Sequence, residues 1–229
     1  MRILLISLSP PEAAYLHKAL RESAHSLQAT DDLRDGLYLA SQDAFDVVLI
    51  VALDAPSTDE LAEILPEFTR LTNPPALMAV LGRAGAAERV RMLRAGADAC
   101  FVQPYSFIEM QERMLALHRA RGPAEVEHAT DHALWLDSST RELVEGKRRL
   151  LMTKCEFLLV ECLLRQINAP VAREHLIRYA WPDKEVVEPS SVNLVVSRLR
   201  RRLEQFGFDA QVETVSRFGY QISKQISNS

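Results

Sequence analysis

The sequence predicts an α/β doubly wound domain of five parallel strands, followed by an α+β domain built around a winged helix-turn-helix. Three features predict this. Five short apolar runs alternate with helical patterns through the first half, a polar stretch then breaks the rhythm, and the last third carries an amphipathic, arginine-rich helix followed by a hairpin pattern. The 229 residues suffice for two domains, each burying its own core.

Taken in order, residues 3–6, 26–29, 47–51, 76–81 and 100–102 form the apolar runs, and 12–22, 32–40, 59–71, 86–94 and 106–119 the helical patterns between and after them. Runs apolar on both faces are what strands covered by helices on each side require. The first domain is therefore expected over residues 1–121. From Gly122 the text is polar to position 132 and reads as a linker, leaving 133–229 for the second domain. There, 134–137 and 141–144 read as short strands with a turn near Glu145-Gly146-Lys147. Thr153 and Glu156 form a capping-box pattern that opens a helix running to about Gln166, with Leu158, Leu159, Cys162 and Leu163 as its buried stripe. A second helix, 173–181, stops at Pro182. Ser191 is positioned to cap a third helix that reaches Gln205, and 212–222 reads as a hairpin with Arg217 near its tip.

Composition excludes several classes. Hydrophobic residues at 48% and charged residues at 25% are globular values, which removes disordered, collagen-like and coiled-coil chains. No apolar run is long enough to span a bilayer, and the one beginning at Met1 is broken by Ser7, Ser9 and Pro10 before it reaches secretory length. Cys100, Cys155 and Cys162 form no CxxC and read as reduced thiols, so a cytoplasmic protein without membrane, metal or other cofactor is expected. Nucleophile elbow, P-loop and glycine-rich fingerprints are missing, glycine being only 8 of the 229 residues, and the expectation is that the chain is not an enzyme. The net charge of −4 lies wholly within residues 1–121, where 12 basic side chains face 16 acidic ones; the remainder is neutral, but its basic residues are clustered.

That cluster sits on the third helix. Val192, Val196, Leu199 and Leu203 recur at i, i+4, i+7 and i+11 and form a core stripe. At about 100° per residue, Leu194, Ser197, Arg198 and Arg201 point the opposite way, with Arg200 and Arg202 on the flanks. Taken alone, such a helix is either a solvated face or a reader of the major groove. Two preceding helices and a following hairpin favour the second.

The residues that follow carry a resemblance. They are Leu151-Met152-Thr153-Lys154-Cys155-Glu156-Phe157, Val171-Ala172-Arg173-Glu174-His175-Leu176, Trp181, the run from Ser191 to Leu203, and Thr214-Val215-Ser216-Arg217-Phe218-Gly219-Tyr220. Residues 134–222 thereby resemble the winged-helix effector domain of the OmpR/PhoB family of response regulators, whose fold adds an antiparallel sheet ahead of the helices. The resemblance implies a transcription regulator that binds double-stranded DNA at two half-sites. Arg198 would contact a base, with Ser191, Leu194 and Val195 facing the groove beside Ser197. Arg200, Arg201 and Arg202 would divide between groove and phosphates, and Arg217 would approach the minor groove. Asp183, Lys184, Glu185 and Glu188 fall on the loop that relatives use to touch RNA polymerase. Two departures stand out: Val195 replaces a common histidine, and the wing arginine lies one place late, with Ser216 in the usual position.

Residues 2–121 resemble a CheY-like receiver, on Ala95-Gly96-Ala97-Asp98 and Gln103-Pro104-Tyr105-Ser106. Receivers phosphorylate an aspartate ending the third strand, using acids after the first strand for Mg²⁺, a hydroxyl on the fourth strand and a lysine before a proline. Here Ser7, Leu8 and Ser9 occupy the acid positions, Val51 the phosphoacceptor position, Val80 or Leu81 the hydroxyl position and Gln103 the lysine position. The resemblance thus implies a degenerate phosphorylation site; Asp54 is the alternative acceptor of a conventional phosphorelay, or simply an exposed loop acid. Arg89, Asp98, Glu109 and Arg113 match positions that pair two receivers, although one acid of that set is Ala99 and the fifth-strand aromatic is Cys100. A phosphorylation-independent homodimer is the expectation, with a receiver-like protein-interaction adaptor as the alternative.

Overall fold

The computed structural model describes residues 1–23, 25–121, 134–138, 140–181 and 187–224. Two compact units divide the chain after Ala124; the expected linker, 122–132, lies outside the described residues.

In the first unit, five strands alternate with five helices. The strands are β1 (Arg2–Ser7), β2 (Ser26–Thr30), β3 (Val47–Ala52), β4 (Ala76–Leu81) and β5 (Ala99–Val102); the helices are α1 (Pro10–Glu22), α2 (Leu33–Gln42), α3 (Ala55–Thr69), α4 (Ala86–Ala95) and α5 (Phe107–Arg121). All strand pairs are parallel, in the order β2-β1-β3-β4-β5. Because side chains alternate across a strand, each apolar run feeds two cores. Ile3, Leu5, Val47, Leu49, Val51, Met78 and Val80 meet Leu16 and Leu20 of α1 and Met110 and Met114 of α5. Leu4, Ile6, Val48, Ile50, Leu77 and Ala79 meet Leu33 of α2, Leu61, Leu65 and Phe68 of α3, and Met92 of α4. At about 1.5–3 kcal/mol for each fully buried aliphatic side chain, this two-sided burial is the main term holding the unit together.

Helix starts differ from expectation for a consistent reason. α1 begins at Pro10 and α3 at Ala55, with prolines in the first turn where a missing N–H costs nothing. α3 therefore begins four residues before the sequence pattern suggested, and Asp54 becomes its N-cap. Gly96 closes α4 at φ 121°, a conformation that L side chains rarely adopt.

The second unit opens with an antiparallel meander of β6 (Leu134–Asp137), β7 (Glu142–Glu145) and β8 (Arg148–Leu151). Three helices follow, α6 (Lys154–Leu164), α7 (Arg173–Ala180) and α8 (Pro189–Gln205), and then the hairpin of β10 (Ala210–Val215) and β11 (Gly219–Lys224). The capping box is present, with Thr153 Oγ1 accepting from the Glu156 N–H and the Glu156 carboxylate accepting from the Thr153 N–H. One element has no counterpart in the sequence reading. The two-residue strand β9 (Val171–Ala172) pairs with β11 to give a sheet in the order β10-β11-β9. Gly219 makes that pairing possible, because a Cβ there would lie 2.0 Å from the Val171 carbonyl oxygen. Ser191 is not the cap of α8: Pro189 starts the helix earlier, and Glu188 holds the N-cap position.

Candidate nucleic-acid interface

Helix α8 packs its stripe of Val192, Val196, Leu199 and Leu203 into the core of the second unit, all four side chains being buried. Leu194, Ser197, Arg198 and Arg201 are exposed on the other side, as the helical period demands. Leu194 is 61% exposed, unusual for a leucine in the middle of a helix. Val195 and Ser191 are only half-buried flank positions, and Val195 packs against the core rather than standing out toward a groove.

The four arginines of α8 divide into two classes. Arg202 donates to the Glu156 carboxylate at 2.6 Å and to the Leu151 carbonyl, and Glu156 is 1% exposed. Arg200 donates through Nε to the Val212 carbonyl at 2.5 Å and through Nη2 to Thr214 Oγ1 at 2.8 Å. Both guanidinium groups are thus bonded within their own unit, unlike the outward placement expected for groove and phosphate contacts. Arg198 and Arg201 are exposed without an intramolecular partner among the described residues, and they carry the outward charge of the helix.

The hairpin puts Ser216, Arg217 and Phe218 at its turn, closed by Phe218 N–H donating to the Val215 carbonyl at 3.1 Å. Arg217 is exposed and adopts φ 61°. An exposed helix bearing arginines, beside a hairpin with an arginine at its apex, is the arrangement that inserts a helix in the major groove and a wing against the neighbouring backbone.

The carboxyl end of the first unit's parallel sheet forms a cleft of about 870 Å³, lined among others by Glu12, Leu53, Asp54, Leu81, Gln103 and Tyr105. Val51 does not reach it as a polar group; it is fully buried in the core under α1 and α5, between Ser7 and Val80 in the sheet register. Val80 shares that core, while Leu81 lines the cleft. Gln103 Nε2 donates to the Glu12 carboxylate at 3.0 Å, and the Tyr105 hydroxyl donates to its other oxygen. Burial, with Glu12 close by, pushes the Tyr105 phenol well above its usual range. Sequence reasoning missed Glu12, because it lies on α1, beyond the loop positions where acids were sought.

These residues do not fit Mg²⁺. Ser7, Leu8 and Ser9 supply no carboxylate, the Glu12 carboxylate is engaged by Gln103 and Tyr105, and among the described residues no three His, Cys, Asp or Glu side chains converge on a metal site. Asp54 Oδ1 accepts from the Ser57 N–H at 2.8 Å, which lowers its pKa from the ordinary 3.8. It is an exposed helix cap rather than an idle loop acid.

On the face of α4, β5 and α5, Arg89, Glu109 and Arg113 are exposed. Asp98 is occupied within the unit, accepting from the Leu77 N–H at 2.8 Å and from Arg121 at 2.6 Å; Arg113 donates to its carbonyl at 3.3 Å. Of the loop before α8, Asp183, Lys184 and Glu185 lie outside the described residues; Glu188 is exposed and accepts from Ser190 Oγ at 3.1 Å.

Residues 146–222 match the family described as "Transcriptional regulatory protein, C terminal". Across its length the chain is similar to the virulence transcriptional regulatory protein PhoP of Salmonella choleraesuis, 28% identical over 221 residues, covering 96% of this chain and 97% of the relative. Over its length the chain is thus similar to response regulators, with residues 146–222 as its transcriptional-regulator part. Similar coverage, 96% and 97%, relates this chain to the response regulator MprA of Mycobacterium avium, at 28% identity over 223 residues. A solved structure of DrrB, described as a Thermotoga maritima OmpR/PhoB homologue, is 18% identical, covers 97% of this chain and 98% of its own, and superposes with a TM-score of 0.38. Residues 146–222 thus form the DNA-binding domain of a transcription regulator, and no helix among the described residues is long and apolar enough to cross a membrane.

Proposed function

We propose that this response regulator is a cytoplasmic, sequence-specific transcription factor that acts as a homodimer without phosphorylation. The observation that carries the proposal is Val51: the phosphoacceptor position is a fully buried aliphatic side chain committed to the apolar core. Phosphoryl transfer depends on positioned charge, and the Glu12–Gln103–Tyr105 cluster offers a single carboxylate, already hydrogen-bonded on both oxygens, and no neutralising lysine. The α4–β5–α5 face supports pairing of two copies. Val90 and Leu93 of α4 and Ile108 of α5 are exposed, Ile108 at 73%, on the same two helices as Arg89, Glu109 and Arg113. Exposed ion pairs contribute only about 0–1 kcal/mol each, so the apolar trio supplies the larger part of the association.

A paired receiver would present two α8 helices to two half-sites about one helical turn apart. RNA polymerase is the proposed partner of the loop before α8, and Glu188→Gln is expected to lower transcription more than it changes DNA affinity. Treating the full chain with a small-molecule phosphodonor tests the central claim: mass, sedimentation and DNA affinity should all stay constant. Stable phosphate uptake abolished by Asp54→Ala would instead establish a conventional phosphorelay protein. Sedimentation as a monomer at about 10⁻⁵ M, together with one copy bound per operator, would remove the dimer.

A further inference from the structure

We propose that Tyr220 is the hub of a rigid reading head and that Arg200 is a positioning residue of that head, not a phosphate contact; the inference rests on the DNA-binding reading above. Tyr220, on β11, is 4% exposed. Its hydroxyl donates to Asn193 Oδ1 at 2.7 Å, which ties the wing to the first half of α8. The Arg200 guanidinium lies 5.9 Å from the ring centroid and the Arg173 guanidinium 5.7 Å from it. One ring therefore joins α7, α8 and the wing.

Arg200 adds the second tie. Its two directed bonds, to the Val212 carbonyl and to Thr214 Oγ1, both end on β10, the edge strand of its sheet. Bonds from a guanidinium are charge-assisted and geometrically fixed by its planar fork. Turning Arg200 outward to a phosphate would break both and give up the cation–π contact with Tyr220. Arg201, one residue on and fully outward, reaches the solvent side without that cost.

The functional consequence follows from geometry. A helix and a hairpin that engage different grooves must hold a fixed mutual orientation, and any slack between them is entropy lost again on binding. The Tyr220 hub removes that slack beforehand. Arg200 thus strengthens DNA binding through the orientation of Arg198, Arg201 and Arg217, while its own half-buried guanidinium stays bonded to β10.

Salt dependence separates a strut from a phosphate contact. Each neutralised phosphate adds about 0.9 to the slope of log affinity against log salt, whereas a strut alters affinity equally at every salt. The full chain is titrated across a salt series onto a duplex that the wild-type chain has enriched from a randomised pool. Arg201→Ala is expected to lower the slope by about 0.9. Arg200→Ala is expected to weaken binding about tenfold with the slope unchanged. Arg200→Lys keeps the charge but not the fork, so it should not restore affinity. Tyr220→Phe keeps the ring and loses the bond to Asn193; it should weaken binding several-fold, again at constant slope, with the fluorescence of the folded domain preserved. A slope reduced by Arg200→Ala and recovered in Arg200→Lys would overturn the inference, as would an Arg200→Ala chain that binds like wild type. Failure of the wild-type chain to enrich any duplex would instead overturn the DNA-binding reading beneath it.

Discussion

Replacing Arg217 by glycine sets the backbone against the side chain. Arg217 sits at φ 61° at an exposed hairpin apex, where a residue with a Cβ is strained by about 1–2 kcal/mol. Glycine relieves that strain and gives back about 0.5–1 kcal/mol through the greater freedom of its unfolded chain. The net expectation is a second unit more stable by about 0.5–1 kcal/mol, or a Tm higher by about 3–6 °C for a domain of this size. The chain holds only two tryptophans, Trp135 and Trp181, and both belong to the second unit. Tryptophan fluorescence of the intact protein therefore follows that unit alone. DNA binding should move the other way, weakening about tenfold with a slope against log salt lower by about 0.9. Arg217→Ala separates the two effects, because it loses the charge without gaining the backbone freedom. A melting temperature that falls in Arg217→Gly would refute the strain argument; unchanged affinity and slope would refute a wing that touches DNA.

The remaining predictions concern the first unit. Restoring an acid with Val51→Asp should destabilise the unit by about 3–5 kcal/mol, since it places a carboxylate without a partner in an apolar core; calorimetry measures this, and phosphate uptake by the variant would contradict the reading of the cleft. Ile108→Lys should weaken cooperative occupancy of a two-site duplex without changing the melting of the unit, because the side chain is 73% exposed. Burial raises the Cys100 thiol above its ordinary 9.0, against a smaller lowering by Arg89, so site-resolved alkylation should be slower at Cys100 in the native than in the denatured chain. Hydrogen bonds from Ser57 lower the Asp54 pKa below 3.8. Its capping stabilisation is therefore complete above the unfolded value and lost as pH falls through the lower folded value. The melting curves of wild type and Asp54→Ala should differ at neutral pH and converge on acidification.

Much of the fold was legible because its signals are periodic. Strand runs apolar on both faces and the i, i+4, i+7, i+11 stripe of α8 each follow from side-chain geometry, and the structure puts them where the period requires. What stayed hidden was set by contacts distant in sequence. β9 is two residues long and exists only because β11 pairs with it beside Gly219. Glu12 gains its meaning from Gln103 and Tyr105, more than ninety residues away. The arginines of α8 illustrate the limit best. Angle alone placed Arg200 and Arg202 on the flanks, but whether a flank arginine turns outward depends on what lies beneath it. For Arg202 that is buried Glu156, and for Arg200 the edge of β10.

On the phosphorylation-independent reading proposed above, the pairing equilibrium is left to composition and concentration, since a population shifts only under a ligand with different affinities for the two states. The exposed trio of Val90, Leu93 and Ile108 contributes about 1 kcal/mol per side chain on burial, so a symmetric pair gathers about 6 kcal/mol. Association costs are of comparable size, about 4–15 kcal/mol, and pairing in free solution is therefore weak. DNA with two half-sites changes that balance by holding the second copy at high effective concentration beside the first. Occupancy should accordingly rise with roughly the square of chain concentration on a two-site duplex and linearly on a single site, with a phosphodonor altering neither curve. Linear occupancy on both duplexes would mean that the copies bind independently, and the α4–β5–α5 face would then have no part in DNA recognition.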